Sequence, residues 1–403
     1  MNPIAIPPRL DAILSRDESL KGLVALTFRE FEPWLASSGM PFFPAYTDHS
    51  PSHISDVLST ASSIITDESK ELLTSSDIAV LVLGALLHDC AMHLTEDSFR
   101  HLVESSKQNL PISLLDRETW DQLWANFLSE ASRFDGRKLR TIFGDNEPVD
   151  PRKFKAENLT ERDKLLIGEF IRTHHARLAH EIALFGVPGP DGNNKLRLPK
   201  FTGNYADIPD LIGLVARSHG MPIRETFEYL EKKFNVSDYK GIHTVFLMVV
   251  LRVSDYLQVQ SERAPKQLLL VKKLRSPISV REWDVHHAVR DIRTTDMDPE
   301  ALYIDALPAN VKSYVRLRWL LDDIQKELDQ SWAILGEVYG RLGPLRTLGL
   351  TIRRIRSSID NLEQLSTRVT FLPAQTSFDA AGTDLLKLLV GPLYKNQPGQ
   401  DLI

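Results

Sequence analysis

The sequence is poor in several things at once. It has one cysteine, Cys90, in 403 residues. No internal disulfide can form, which fits a reducing cytoplasm. It has no excess of basic charge: 48 Lys and Arg stand against 54 Asp and Glu, a net charge of −6. A general nucleic-acid coat or a polybasic membrane binder is disfavoured, although a local basic groove is not. It has no long apolar run either. The most apolar stretch, Ile78 to Leu87, is flanked by Asp77 and by His88-Asp89. It is too short to span a bilayer and reads as a buried helix. The first residues, MNPIAIPPRLDAIL, lack the basic-then-apolar order of a signal peptide. The expectation is a cytoplasmic protein with no membrane contact. What is present is ordinary globular composition, 42% apolar and 25% charged. The length allows two or three domains.

Strand signals are weak almost everywhere, because apolar residues recur at spacings of three and four rather than two. That spacing predicts helices over Leu20–Trp34, Ile54–Ile65, Leu165–Ile182, Ile208–Ser218 and Thr244–Val259. Another helix is expected through LVLGALLHD, with Ser76 and Asp77 as N-cap candidates. A long one is expected from Val311 to Tyr339, with Leu317, Leu320, Leu321, Ile324, Leu328, Leu335 and Tyr339 on one apolar face. The Gly, Pro and Asn of Val187 to Asn204 forbid helix and mark a long loop, and Gly343-Pro344 marks a boundary. The organisation expected is an N-terminal helical segment (1–45), a core (46–265), a C-terminal helical extension (266–343) and a tail (344–403).

Chemistry concentrates in a short series. His53, His88, Asp89, His175, His219 and Asp255 each lie within or at the end of an apolar helical segment. Burying unpaired polar groups costs on the order of 1–3 kcal/mol each. Bound cations would satisfy all six at once. Four imidazoles and two carboxylates suit Mn, Fe, Co, Ni or Zn better than an all-oxygen Mg or Ca site. Consecutive side chains diverge by about 100° around a helix, so Asp89 can bridge two cations while His88 binds one. Two such ions, roughly 3.5–4 Å apart, could hold a hydroxide and orient a phosphate for in-line attack.

On these residues the chain resembles the HD superfamily of metal-dependent phosphohydrolases, an all-α helical bundle, here with additional C-terminal helices. The pattern of that superfamily is His, then His-Asp, then a distal Asp. His53, His88, Asp89 and Asp255 match it, and His175 and His219 match the pair that two-metal members add. The segments YTDHSPSHI, ALLHD, IRTHHA and LRVSDYL…RAP resemble more narrowly the HD-CE branch of bacterial conflict systems, often fused upstream of a gyrase/chaperone/histidine-kinase-type ATPase. The tail DLLKLLVGPLYKN is similar to the joint before such an ATPase. Two features depart from relatives. Cys90-Ala91-Met92 follows the pair where the HD-GYP branch carries HDIGK, and there is no Gly-Tyr-Pro signature, so a cyclic dinucleotide is not imported as substrate. Inserted sequence also separates Asp89 from His175.

The resemblance implies a phosphohydrolase acting on a nucleotide or another phosphate ester, with two divalent transition-metal ions bridged by Asp89. His93, four residues after Asp89, would share its helical face if the helix continues; either it or a water would protonate the leaving group, and an exposed place or one behind the ligands is the equal alternative for it. Arg252 or Arg263 would steady the phosphoryl charge, with Arg172 the other cation near the ligand segments. An ion pair with a core carboxylate is the competing role for each arginine. His49 is expected to cap a turn, His174 to lie beside the ligands or be exposed, Cys90 to be a small core residue, and His286 and His287 to be structural. An HD-type nuclease, using the basic TIRRIR segment, and a non-catalytic nucleotide-sensing module are the other readings. Nucleic acid is not favoured as a partner. Leu385, Leu386, Leu388, Leu389 and Val390 form an apolar strip suited to an ATPase partner or a second copy.

Overall fold

The computed structural model describes residues 3–374, except 45, 48, 105–110, 192 and 260–275. Among them are fifteen helices: α1 (Pro8–Leu14), α2 (Glu18–Ser37), α3 (Pro51–Ile64), α4 (Asp67–Leu72), α5 (Ser75–Leu87), α6 (Glu96–Glu104), α7 (Trp120–Ala131), α8 (Gly136–Ile142), α9 (Glu161–Phe185), α10 (Ile208–Ser218), α11 (Phe227–Lys233), α12 (Thr244–Tyr256), α13 (Pro277–Ala288), α14 (Val311–Tyr339) and α15 (Leu362–Arg368). The fold is largely all-α, as the periodicity predicts. The apolar run is the centre of it: α5 is buried from Asp77 to Leu87, and α2, α3, α9, α10 and α12 pack around one continuous core. One segment, Ser75–His93, has the length and hydropathy of a membrane span, but 83% of its window is buried inside the protein.

Two cap interactions fix where the central helices end. The N-cap of α5 is Thr74, not Ser76 or Asp77; Thr74 and Asp77 form a capping box. Asp77 also accepts hydrogen bonds from the His243 backbone N–H (2.7 Å) and the ring Nδ1 (3.0 Å), at the start of α12. Helices α5 and α12 therefore start side by side and have the same length, thirteen residues. Asp89 stands twelve residues after Asp77, and Asp255 twelve after His243 (89 − 77 and 255 − 243). Equal rise brings both carboxylates to the same end of the pair.

One feature differs from the sequence expectation. A three-stranded sheet follows the core: β1 (Val289–Thr295) and β2 (Asp298–Ala306) form an antiparallel hairpin, and β3 (Arg354–Ser357) joins β2 in parallel. Only Val289 of β1 is buried, and only Ala301, Ile304 and Ala306 of β2, too few to make an alternating pattern. The boundary expected at Gly343 is followed by chain that contacts the rest of the protein, through β3, through a Thr351 N–H bond to the Ile64 carbonyl (2.6 Å) and through Gly349 bonded to Ser69 (2.9 Å). The Leu385–Val390 strip lies outside the described residues.

Candidate metal centre

Four helix ends and one helix middle deliver the donors. His53 lies in the first turn of α3, behind Pro51. Helix α5 stops at His88, and Asp89 takes φ −105°, ψ 4° before a 3-10 turn, Cys90–His93. The expected separation of the pair around a continuing helix is thus replaced by a break, which turns the Asp89 carboxylate across the helix end. His175 lies midway along α9, His219 caps α10, and Asp255 is in the last turn of α12. Helices α9 and α10 approach closely because Gly213 of α10 and Gly220 just beyond it face α9. A Cβ on Gly213 would meet His180 Cδ2 at 2.3 Å, and one on Gly220 would meet Ala176 Cβ at 2.5 Å.

The donors divide between the two oxygens of Asp89. Oδ2 faces His88 Nε2 at 3.2 Å, His49 Nε2 at 3.5 Å and His53 Nε2 at 3.9 Å. Oδ1 faces His175 Nε2 at 3.5 Å and His219 Nε2 at 3.6 Å. Asp255 Oδ1 closes the first group, 3.6 Å from His88 and 3.8 Å from His53. Two sets result, His53–His88–Asp89–Asp255 and Asp89–His175–His219, each with donor atoms within 4.8 Å of one another.

The tautomers follow from the far sides of the rings. His88, His175 and His219 each bond through Nδ1 to the carbonyl three residues earlier, at 2.8, 2.7 and 2.5 Å. His49 Nδ1 bonds to the Thr47 carbonyl at 2.8 Å. A carbonyl only accepts, so Nδ1–H is the donor and Nε2 is the atom turned toward Asp89, a lone pair for a metal whenever the ring gives up its second proton. The His175 and His219 Nε2 atoms lie 2.7 Å apart, which needs a cation or a proton to hold. His88 Nε2 is buried, and neither nearby carboxylate lies in hydrogen-bonding geometry to it. Burial opposes charge throughout the cluster. At His88 the Asp89 and Asp255 carboxylates overcome it and raise the pKa well above the ordinary value. His88 in turn holds Asp89 well below the usual carboxylate range, and also lowers Asp255. At His219 burial wins, helped by His175, and the pKa falls to about 4. Ionised carboxylates beside imidazoles whose Nε2 atoms all turn inward are a donor set for a divalent transition metal, which would take the place of the proton that the carboxylates favour on His88.

Other expected residues lie elsewhere or act differently. Both ring nitrogens of His93 are engaged, Nδ1 with Ser38 Oγ (2.6 Å) and Nε2 with the His49 carbonyl (3.0 Å). Because α5 ends at Leu87, His93 does not share a helical face with Asp89; its proton is committed to holding the His49 backbone. Arg252 is not available to phosphate. Its guanidinium forks onto Glu327 (2.6 and 2.7 Å) and donates to the carbonyls of Ser218 and Met221, on either side of His219. Arg263 lies outside the described residues. His49 does bond in a turn, yet it also reaches Asp89, a role that the family pattern, with one histidine at this place, obscured. His174 packs on Phe170 with ring centroids 4.8 Å apart, and burial, then Arg177, lowers its pKa to about 4. Cys90 is buried; burial and then Asp89 raise its pKa, keeping the thiol protonated. His286 is buried, and His287 packs edge-on against Trp283. The basic run is largely neutralised: Arg354 pairs with Asp298 at 2.6 Å, and Arg353 lies over Trp332 and near Glu300.

Fold and cluster together define a helical domain whose histidine–aspartate centre can hold a metal ion. The model of the HD-CE family matches residues 43–330, and the chain belongs to that family. No match was found among curated proteins or among solved structures.

Proposed function

We propose that this protein is a metal-dependent phosphohydrolase acting on nucleotides, with two divalent ions at the cluster. The observation that carries the reading is the division of donors between Asp89 Oδ2 and Oδ1. Two ions there would activate a water and polarise the phosphoryl oxygens. The chain's own contribution is orientation. Carbonyl bonds to Nδ1 of His49, His88, His175 and His219 fix the tautomers and ring planes. His93 fixes the backbone of His49, and Arg252 shapes the turn that carries His219. Family membership supports a place in bacterial conflict systems, with an ATPase as the partner class. The test is a nucleotide hydrolysis screen with Mn, Fe, Co, Ni or Zn. A folded His88→Ala, Asp89→Ala double variant should lose the turnover that wild type shows; equal turnover would sink the reading.

A further inference from the structure

A phosphohydrolase must also hold the part of the substrate that the metals do not. Five arginines lie on α9, α10 and α12, the helices that bring in His175, His219 and Asp255: Arg162, Arg172, Arg177, Arg217 and Arg252. Four are consumed by carboxylates at hydrogen-bonding distance: Arg162 by Asp145 (2.5 Å), Arg177 by Glu181 (2.8 Å), Arg217 by Asp116 (2.7 Å) and Arg252 by Glu327 (2.6 Å). Arg172 is different. Its nearest carboxylate oxygen, on Glu169, stands 3.6 Å from Nε, and Nε is buried without an acceptor. Its hydrogen bond goes instead to a neutral group, from Nη1 to the Tyr46 hydroxyl at 2.8 Å.

The position of Arg172 is as telling as its charge. It precedes His175 by three residues, so the two side chains share a face of α9. Its own carbonyl accepts the His175 Nδ1 proton. Its guanidinium lies over the Tyr46 ring, 4.9 Å from the centroid. Tyr46 stacks on His49, with centroids 5.2 Å apart and planes 23° from parallel, and His49 reaches Asp89. A continuous path of contacts thus runs from the Asp89 carboxylate to a partly exposed guanidinium held over an aromatic ring. Such a ring restrains the fork without neutralising it, and a guanidinium fork matches two oxygens of a phosphate.

We infer that Arg172, seated on Tyr46, is the phosphate-binding arm of this site, taking the oxygens of a substrate phosphate beside the metal centre. The assignment rests on the phosphohydrolase reading, and its test separates the two. Inorganic phosphate is titrated calorimetrically into metal-loaded and metal-free full-length protein, with metal content measured in parallel. Arg172→Ala should keep the wild-type metal content and weaken phosphate roughly 10- to 100-fold, the scale of a lost charged hydrogen-bonding partner. Millimolar guanidinium should restore part of that loss, which a merely structural role would not show. Arg172→Lys, which keeps the charge, should fall in between, and Tyr46→Phe should weaken phosphate less than Arg172→Ala. These two variants keep the test open should Arg172→Ala not fold. Unchanged phosphate affinity in a metal-replete Arg172→Ala, or no phosphate binding by metal-replete wild type, overturns the assignment. Wild type that takes up no metal overturns the phosphohydrolase reading instead, and the phosphate comparison in metal-free protein still decides the role of Arg172.

Discussion

The two sides of Asp89 are built differently. On the Oδ2 side, the histidines His53 and His88 are each 1% exposed and hang from helices of the central core, with only the Asp255 carboxylate, 24% exposed, opening to the outside. On the Oδ1 side, the His175 side chain is 18% exposed, and the ligands come from α9 and α10, drawn together at Gly213 and Gly220. That second side is supported from behind by charge as well as by the apolar packing of α9 on α10. Arg177 of α9 and Arg217 of α10 both reach Asp116, at 3.4 and 2.7 Å, and Glu181 accepts from Arg177 and from Trp120 Nε1. A deep half set by helix length faces a rim half set by a polar network. The deep half should bind its ion more tightly, and the rim half should release its ion more readily and be the more sensitive to pH.

The largest effect should come from the deep half. His88→Ala should lower turnover by at least about 100-fold, the scale seen when even a partner behind a metal ligand is lost. His219→Ala should release one metal equivalent and leave the other in place. If each variant emptied both positions equally, the division into halves would fail. Arg252→Ala leaves Glu327 buried without its partner and frees the turn around His219. It should cost ~3–5 kcal/mol in urea unfolding of metal-free protein, with weaker metal binding confined to the rim position.

The network behind the rim carries its own pH signature. Burial pushes the Glu181 carboxyl up to about 7, against the opposing pull of Arg177 and Trp120. In the unfolded chain it titrates near 4.5. The raised folded value means that the unfolded state releases its proton first. Stability should therefore fall as pH rises from about 4.5 to about 7, by on the order of 3 kcal/mol, and level off above. Glu181→Gln should flatten that part of the stability–pH curve measured by denaturant titration; an unchanged slope would contradict the assignment. The smallest effect should follow Gly213→Ala. The new Cβ meets the His180 ring and carbonyl, which should cost ~1–3 kcal/mol as an overpacked contact, seen as a lower thermal midpoint.

Much of this was legible in the residues. The apolar spacing of three and four sets α10 at Ile208–Ser218 and α14 at Val311–Tyr339 as observed, because amphipathic periodicity reports a buried face directly. The ordered series from His53 to Asp255 anticipates the residues that meet at Asp89. What escaped was whatever depends on contacts distant in sequence. The sheet pairs strands with few buried residues, and its third member lies beyond Gly343. The role of Arg252 depends on Glu327, 75 residues away, and no local pattern distinguishes a guanidinium facing phosphate from one facing a glutamate. The break after His88 hid the bond that holds His93, and Tyr46 became visible only when its ring was found under Arg172 and against His49.

The central claim is that one carboxylate joins two metal positions. Elemental analysis of purified wild type and Asp89→Ala, reconstituted in parallel with the same transition metal, tests it most directly. The account predicts about two equivalents in wild type, by the two donor sets that share Asp89, and loss of both in the variant. A variant that keeps the wild-type content, or a wild type that stays empty after reconstitution, would contradict it.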